Sequence, residues 1–341
     1  MTVGLMTAGG DCPGLNAAIR AVVTRLHAAG VPVLGIRNGW EGLMEGNCHP
    51  LTRDDVRGIL TRGGTILGTS RRDPYVHGEG YASIASTLRE RGIERLIVIG
   101  GDGSLTAAAQ LNNEGLPVIG IPKTIDNDIG GTDVTFGFHT AVQIVTDAID
   151  RLTTTAESHN RVMVVEVMGR TAGWIATYAG IAGGAEAILV PEVSYDIGDV
   201  AARLQSRHEA GSAYSIVVVA EGTPAPGGGT WESGVDAYGF SRLGGVSTVV
   251  AAELERLTSF ETRVMILGYL QRGGSPTAYD RVLATRLGVR AAELALDGES
   301  GVMVGLQGDD IVAVDLGLVA QGPRNLDVAR HGVASWFWPD R

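Results

Sequence analysis

The sequence predicts an α/β protein of about two domains, with mostly parallel sheets covered on both faces by helices. The length of 341 residues exceeds that of one typical domain. Short apolar runs rich in Val and Ile alternate along the chain with stretches of helical periodicity. These runs are continuously apolar, which is typical of strands buried on both faces of a parallel sheet.

The expected elements begin with a strand at Val3–Thr7 and a helix at Leu15–Ala28, where apolar residues recur at helical spacing. Further strands are expected at Val33–Ile36, Leu96–Ile99, Val118–Ile121, Val162–Val167, Ala187–Val190, Ser215–Ala220 and Arg263–Leu267, with an edge strand at Val302–Leu306. Further helices are expected at Ser104–Asn112 (capped by Ser104), His139–Leu152, Trp174–Ala182, Ile197–Glu209, Ser247–Leu257 and Asp280–Leu296. Residues 223–240 are expected to form a surface insertion or flap.

Composition and charge restrict the function. The net charge is −11 and no stripe of Lys or Arg appears, which argues against nucleic acid as a partner. No apolar run reaches the ~18 residues that a membrane span needs, and Met1 leads straight into a strand-like run, so neither a span nor a signal peptide is expected. Cys12 and Cys48 fit a reducing cytoplasm. The seven histidines show no ligand spacing, which argues against a histidine-bound catalytic metal.

Lys123 is the only lysine among 27 cationic side chains. A position that keeps Lys in a chain otherwise using Arg indicates a need for a compact ammonium group rather than a planar guanidinium. Chance is the alternative, but Asp126 and Asp128 follow within five residues and look chemical.

The unusual clusters follow expected strands, where ligands bind in parallel sheets. Gly9–Gly14 follows the first strand and is neither a dinucleotide fingerprint nor a Walker A sequence, so a tight turn is as good an explanation as a ligand loop. In Gly100–Ser104, Asp102 suits a Mg²⁺ ion held by one carboxylate and phosphate oxygens, and Gly103 leaves space for a phosphate chain. A helix cap is the structural alternative for this loop.

Thr124–Asp128 places two carboxylates beside the lone lysine at a strand end. Phosphoryl transfer requires positioning, charge neutralisation and a base for the accepting hydroxyl, and Asp126 suits the base. An Asx turn explains one Asp but not the whole run. Five arginines suit phosphate, although each one alone is better explained as a solvated surface charge: Arg71, Arg161, Arg170, Arg263 and Arg272. Glu221, at another strand end, suits sugar hydroxyls.

Six motifs occur in one order: Gly-Gly-Asp-Cys-Pro-Gly-Leu-Asn, Gly-Gly-Asp-Gly-Ser, Pro-Lys-Thr-Ile-Asp-Asn-Asp, Val-Glu-Val-Met-Gly-Arg, Ala-Glu-Gly and Leu-Gly-Tyr-Leu-Gln-Arg-Gly-Gly. Over about residues 2–320, the chain therefore resembles the 6-phosphofructokinase family. The resemblance implies two three-layer α/β domains, the second inserted in the first. Residues 1–137 and 271–320 would then bind the donor, and residues 138–270 and 321–341 the sugar phosphate.

The resemblance also implies the activity: phosphoryl transfer from MgATP to the 1-hydroxyl of fructose 6-phosphate. Asp126 falls on the catalytic base, with Arg170 assisting, and Asp102 falls on the Mg²⁺ site. The donor positions are Gly10, Arg71, Asp102, Gly103, Ser104 and Lys123. The fructose 6-phosphate positions are Thr124, Asp126, Met168, Gly169, Arg170, Glu221, Tyr269 and Arg272, with Arg161 and Arg263 reaching a neighbouring subunit's site. A homo-oligomer, a tetramer or a dimer with shared sites, follows from this.

Three features depart from the family pattern. Tyr269 stands where many bacterial members have His. Gly103 is typical of ATP-dependent members and Lys123 of pyrophosphate-dependent ones, a mixed pair that resembles an actinobacterial-type subgroup close to the pyrophosphate enzymes. Gly103 is a stronger indicator of the donor than Lys123, because an Asp at position 103 would fill the space of the α-phosphate. The mixed pair therefore favours ATP. In the effector pocket, Arg20, Arg53 and Glu186 match the bacterial family, whereas Thr24, Thr153 and residues 211–213 replace cations.

Several alternatives stay open at this level. A pyrophosphate-dependent, reversible phosphofructokinase is the first alternative. A lipid or NAD kinase shares the Gly-Gly-Asp-Gly loop but should lack the Thr-Ile-Asp-Asn-Asp run. A non-catalytic sugar-phosphate sensor is disfavoured by the intact Asp102 and Asp126. Another phosphosugar, such as sedoheptulose 7-phosphate, is a further candidate acceptor.

Overall fold

A computed structural model describes residues 1–76, 80–229, 231–235 and 241–336. The chain divides into two compact units, one comprising residues 1–140 and 272–324 and the other residues 141–271 and 325–341. The strands are β1 (Val3–Ala8), β2 (Val33–Ile36), β3 (Cys48–Pro50), β4 (Arg95–Gly100), β5 (Val118–Thr124), β6 (Phe136–Gly137), β7 (Val162–Val167), β8 (Ala187–Leu189), β9 (Ser215–Ala220), β10 (Glu232–Val235), β11 (Ser241–Leu243), β12 (Thr262–Ile266), β13 (Val302–Gln307) and β14 (Asp310–Asp315).

The helices are α1 (Leu15–Ala28), α2 (Gly39–Met44), α3 (Gly80–Glu90), α4 (Asp102–Asn113), α5 (Phe138–His159), α6 (Trp174–Ala182), α7 (Ile197–Glu209), α8 (Val246–Thr258), α9 (Ala278–Leu296) and α10 (Val328–Ser335). Short 3-10 helices span Gly268–Arg272 and Leu316–Gln321. No helix in the described ranges is long and apolar enough to cross a membrane.

The first unit is built on one mostly parallel sheet in the order β14-β13-β5-β4-β1-β2-β3, with β6 paired to β5. The β1–β4 and β4–β5 pairs are parallel. At the carboxyl ends of these pairs, Ala8 lies opposite Gly100 and Gly100 lies opposite Pro122. The three central strands therefore end at one edge of the sheet. That edge carries the loops after β1, β4 and β5.

The second unit has a four-stranded parallel sheet in the order β12-β7-β9-β8. Its core is aliphatic, with fully buried Val164, Val217, Val219, Val250 and Leu254. Within this unit, the carboxyl ends of β7 and β9 lie side by side, because Val167 pairs with Ala220. The motifs at Met168 and Glu221 therefore start from neighbouring strands.

The predicted fold class, an α/β protein of layered and mostly parallel sheets, is confirmed. Two local predictions are wrong. The strand expected at the edge, β13, is interior, since it pairs with β5 on one side and with β14 on the other. Ser104 does not cap α4, because that helix begins at Asp102 after Gly101, which provides no side-chain cap. Of the expected flap at 223–240, positions 230 and 236–240 lie outside the described residues.

Candidate active site

The loop after β1 brings three other segments of the first unit together. Gly9 adopts a left-handed φ of 81°, and its N–H donates to the carbonyl of Ser70 at 2.9 Å. A Cβ on Gly9 would lie 3.1 Å from the Ser104 hydroxyl, and one on Gly10 would lie 2.8 Å from an Arg272 nitrogen. The left-handed φ favours glycine at position 9, and a Cβ at position 10 would displace the Arg272 guanidinium.

Lys123 lies at the centre of this cluster. Its side chain comes from β5 with 2% exposure, and Nζ donates to the carbonyl of Gly10. Burial lowers the pKa of Lys123 below its ordinary value, with Arg272 acting in the same direction and Cys12 and Asp126 opposing. The structure thus brings Gly10, Lys123 and Arg272 together as a partly desolvated cationic group. Such a group is suited to an anion that supplies the missing negative charge.

Asp102 and Gly103 form the first turn of α4, whose backbone N–H groups and positive end favour phosphate. A Cβ on Gly103 would meet nothing within 4 Å, so space is open beside this turn. The oxygen ligand that Asp102 provides is of the kind Mg²⁺ prefers. Among the described residues, no three or more His, Cys, Asp or Glu side chains form a group that could hold a metal ion.

Asp126 follows the end of β5 and is 3% exposed. Within the described part of the chain, its Oδ1 has no hydrogen-bond partner, although buried carboxylate oxygens normally have one. Asn127, at φ 55°, accepts from the N–H of Thr135 at 2.9 Å, and this contact spans eight residues, so it is not an Asx turn. Asp126 is held through its own N–H in the turn that follows β5, and its Oδ1 is the atom left without a partner.

Thr124 anchors the same turn. Its hydroxyl accepts from the N–H of Asp126 at 3.1 Å, and its carbonyl accepts from the hydroxyl of Thr135 at 2.8 Å. Arg71 lies half-buried just after Thr69, whose hydroxyl donates to the carbonyl of Gly9 at 2.6 Å. Both predicted site residues therefore belong to segments hydrogen-bonded to the cluster.

Arg272, predicted to bind the sugar phosphate, packs against the loop that carries Gly10. It is 9% exposed, and Nη1 donates to the carbonyl of Asp11 at 3.1 Å. Its guanidinium is therefore a neighbour of the predicted donor residues of the first unit. The other predicted sugar-phosphate residues of that unit are Thr124 and Asp126.

The second unit carries the remaining predicted site residues in two groups. In the first, Glu221 holds a strained loop after β7: its Oε1 accepts from Gly169 N–H at 3.3 Å and from Arg170 N–H at 3.0 Å. Arg170 is exposed and has a left-handed φ of 54°, rare for a side chain of this size. Met168 donates its N–H to Gln271 at 3.2 Å. Glu221 thus positions Arg170, in addition to the sugar contact that the sequence predicted.

The second group lies at the starts of β7 and β12. Glu261 forms ion pairs with both Arg161 and Arg263. Tyr269 lies on the 3-10 helix after β12 and is 74% exposed. Sequence reasoning missed Glu261 and Gln271. The only signal in the sequence was position: Glu261 lies two residues before Arg263, and Gln271 lies one residue before Arg272.

Sequence reasoning also missed Asp280, a fully buried carboxylate at the start of α9. Its Oδ2 accepts from the N–H of Thr140 at 2.7 Å and from the hydroxyl of Thr140 at 2.5 Å. This contact fixes the first turn of α5, directly after β6, which pairs with Lys123 and Thr124 of β5. The contact joins residues 140 positions apart, so no local pattern reveals it.

Glycine loops at strand ends, buried cations and a carboxylate with an unpartnered Oδ1 are typical of an α/β phosphate-binding protein. The family model described as phosphofructokinase matches residues 2–295. The chain is 51% identical to a pyrophosphate–fructose 6-phosphate 1-phosphotransferase of Amycolatopsis mediterranei, over 99% of this chain and 100% of that one. It is 50% identical to ATP-dependent 6-phosphofructokinase 3 of Streptomyces coelicolor, over 98% and 99%. The chain belongs to the phosphofructokinase family.

Solved structures agree on the fold. A phosphofructokinase of Pichia pastoris matches with a TM-score of 0.83 and 34% identity, covering 94% of this chain and 35% of that longer one. A pyrophosphate-dependent phosphofructokinase of Nitrosospira multiformis matches with a TM-score of 0.84 over all of this chain and 92% of that one. At 21% identity, the second match supports the fold alone.

Proposed function

We propose that the chain transfers the terminal phosphoryl group of MgATP to the 1-hydroxyl of fructose 6-phosphate, giving fructose 1,6-bisphosphate and ADP. The observation that carries this proposal is the buried Asp126 carboxylate, whose Oδ1 has no partner in the described structure, two residues beyond the strand that carries the desolvated Lys123. A base and a phosphate-neutralising cation on one strand end are what transfer to a hydroxyl requires. The ATP-dependent name of the Streptomyces coelicolor relative supports the same activity.

Each residue of the cluster has a role in this reaction. Asp126 takes the proton from the sugar hydroxyl as general base. Lys123, the loop at Gly10 and the first turn of α4 at Gly103 and Ser104 bind the donor phosphates, with Arg71 as a further cation. Asp102 would hold Mg²⁺, which, when bound, neutralises charge on the phosphate oxygens.

The donor choice depends on Gly103. The space beside it accommodates the part of ATP beyond its terminal phosphates, and an Asp there would fill that space and repel the α-phosphate. Pyrophosphate is the second candidate, because Lys123 is the feature typical of pyrophosphate-dependent members and a relative at 51% identity bears that name. The open space beside Gly103 bears directly on whether ATP fits, whereas Lys123 does not. ATP is therefore the proposed donor.

The sugar phosphate is proposed to bind through the second unit. Met168, Gly169 and Arg170 form the loop that Glu221 fixes, and the exposed Arg170 guanidinium suits the transferring group. Tyr269 takes the place of a His ligand, since a phenolic hydroxyl can also donate a hydrogen bond. Arg272 contributes from beside Asp11, and Arg161 and Arg263 serve the site of a neighbouring subunit.

A homo-oligomer with shared sites, a dimer or a tetramer, is part of this proposal. Apolar side chains are exposed along the edge strand β12 and the 3-10 helix that follows it: Met265 is 39%, Ile266 50% and Leu270 68% exposed. Apolar surface next to the two arginines favours burial against another copy. Sedimentation analysis tests this, and a monomer at assay concentration would contradict it. The free Cys12 and Cys48 support a reducing, cytoplasmic location.

A kinetic matrix of ATP, ADP and pyrophosphate against fructose 6-phosphate and sedoheptulose 7-phosphate tests the function. We expect the highest kcat/KM with ATP and fructose 6-phosphate. In Gly103→Asp, ATP turnover should fall much more than pyrophosphate turnover. A wild-type preference for pyrophosphate would overturn the assigned donor, and binding without turnover by any donor would favour the sensor alternative.

A further inference from the structure

One carboxylate binds both arginines that are proposed to serve the neighbouring subunit's sugar phosphate. Glu261 Oε2 lies 2.8 Å from Nε of Arg161, and Oε1 accepts from Nη2 of Arg263. The three residues start the adjacent parallel strands β7 and β12, where the N–H of Val162 donates to the carbonyl of Glu261 at 3.0 Å. The backbone pairing thus fixes this carboxylate between the two cations.

The two arginines are engaged differently. Arg161 meets Glu261 through Nε, so this ion pair leaves its two terminal nitrogens unused. Arg263 uses Nη2 for Glu261 and donates from Nη1 to the carbonyl of Thr262 at 3.0 Å. Both terminal nitrogens of Arg263 are therefore bound to its own segment. These are the atoms with which an arginine grips a phosphate in a two-pronged contact.

We propose that Glu261 is a built-in competitor of the sugar phosphate, which holds Arg263 folded back on its own strand and so sets the affinity for fructose 6-phosphate. This inference rests on the proposed function, in which Arg161 and Arg263 bind the sugar phosphate. A dianionic phosphate takes Arg263 from a single carboxylate because it carries more charge and more acceptor oxygens.

Two further observations support the competition. The side chains of Glu261 and Arg263 are 40% and 51% exposed, so the pair is weak enough to open when an anion arrives. Arg161, which has the larger effect, and Arg263 both hold the pKa of the Glu261 carboxyl below its ordinary value. Glu261 is therefore ionised at neutral pH and can compete with the phosphate.

Glu261→Gln tests the proposal, since it keeps the size of the side chain and one acceptor oxygen but removes the charge. We expect the KM for fructose 6-phosphate to fall about 2- to 5-fold, the range that loosening one exposed ion pair allows. The kcat and the KM for the donor should not change. An unchanged or higher KM for fructose 6-phosphate would overturn the proposal.

Two controls isolate the role of Glu261. Glu253→Gln removes the same charge from another exposed pair of the second unit, Glu253 with Arg256 at 2.8 Å, and should leave the KM unchanged. Adding Glu261→Gln to Arg263→Ala should bring no gain, because the arginine to be released is absent. A gain in either case would assign the effect to general charge and refute the proposal.

The single variants Arg161→Ala and Arg263→Ala separate this inference from the function on which it rests. If both raise the KM for fructose 6-phosphate and Glu261→Gln does not lower it, the competitor role alone fails. If neither raises it while the oligomer stays intact in sedimentation, the arginines are not substrate ligands and the assigned sugar-phosphate site fails as well.

Discussion

At the scale of single residues, the cluster around Lys123 combines groups that are costly to bury. The ammonium, the Arg272 guanidinium and the Asp126 carboxylate are each less than 10% exposed. On folding, Asp126 Oδ1 loses its hydrogen bonds to water, and no hydrogen-bond partner among the described residues replaces them. Unsatisfied polar atoms of this kind destabilise the folded chain, and they are kept where the reaction uses them.

Asp126→Asn should preserve the fold and sugar-phosphate binding while lowering kcat by ~10²–10⁴, the range expected for loss of a general base. The amide is isosteric but cannot accept the proton from the hydroxyl. Steady-state kinetics with saturating donor and sugar phosphate measures this. A kcat near that of the wild type would remove Asp126 from the mechanism.

Lys123→Met should abolish turnover but stabilise the folded chain at pH 7. Burial lowers the pKa of Lys123, so between that lowered value and ~10.4 the unfolded chain binds more protons and wild-type stability rises with pH. At pH 7, well below the ordinary pKa, the wild type therefore bears a cost for burying the lysine, which the methionine removes. Thermal unfolding should show a Tm gain of ~2–4 °C at pH 7 that shrinks toward pH 10.

Lys123→Arg is the matched control for this gain, because it keeps the charge and tests only shape. It should lose activity and show no increase in Tm, since a planar fork does not replace a compact ammonium beside Gly10. A lower Tm for Lys123→Met than for the wild type at pH 7 would mean that the hydrogen bond to Gly10 outweighs the cost of burial.

At the scale of elements, Asp280 joins the first turns of two helices. The hydroxyl of Thr277 caps α9 by accepting from the N–H of Asp280, and Asp280 in turn accepts from Thr140 in α5. Burial raises the pKa of the Asp280 carboxyl, while the donors of Thr140 oppose that shift. The carboxylate therefore serves as a shared cap, and it fixes the segment next to β6.

Asp280→Ala should lower the free energy of unfolding by ~2–4 kcal/mol, because it leaves two buried donors of Thr140 without an acceptor. Chemical denaturation measures this loss. Asp280→Asn should lose less, since its amide oxygen can still accept. Asp297→Ala, at the exposed other end of α9, is the matched control and should be nearly neutral. Equal losses for Asp280→Ala and Asp297→Ala would show that Asp280 is no special cap.

The sequence predicted the buried parallel strands and their helices well, because long apolar runs report burial directly. It was less successful where the signal was weak or remote. β14 was missed: it is apolar between its two terminal aspartates and pairs with β13 across the turn at Gly308, so the Gly-Asp pair at that turn was a hairpin signal. The strand-end motifs contain Gly10, Lys123 and Arg272, which the structure brings together. The carboxylates that position those residues, Glu261 and Asp280, depend on tertiary contacts that no local pattern encodes.

At the scale of the whole molecule, the family resemblance predicts an effector pocket with few cations. Thr24, Thr153 and residues 211–213 occupy positions at which the resemblance expects cations. Glu186, one of the matching residues, is 8% exposed and forms an ion pair with Arg207 at 2.7 Å. Its carboxylate is thus already neutralised within the second unit.

ADP and phosphoenolpyruvate at millimolar concentration should therefore change kcat/KM by less than about 2-fold, because each missing charge-assisted hydrogen bond forfeits ~1.5–3 kcal/mol of binding. Saturation curves in fructose 6-phosphate should be hyperbolic. Initial-rate measurements with and without each compound check this. Strong inhibition by phosphoenolpyruvate that disappears in Arg20→Ala or Arg53→Ala would show that the pocket still works.

The division of the chain also sets the order in which the two main sheets can be completed during synthesis. The sheet β12-β7-β9-β8 is encoded by one continuous stretch inside residues 141–271, so all its strands are available once that stretch has left the ribosome. The sheet of the first unit is completed later, because two of its partners belong to residues 272–324. These are β13, which pairs with β5, and α9, which packs against α1. The sheet that begins at the amino terminus is thus completed after the sheet encoded inside it, and β5, which carries Lys123, gains its neighbour β13 only near the end of translation.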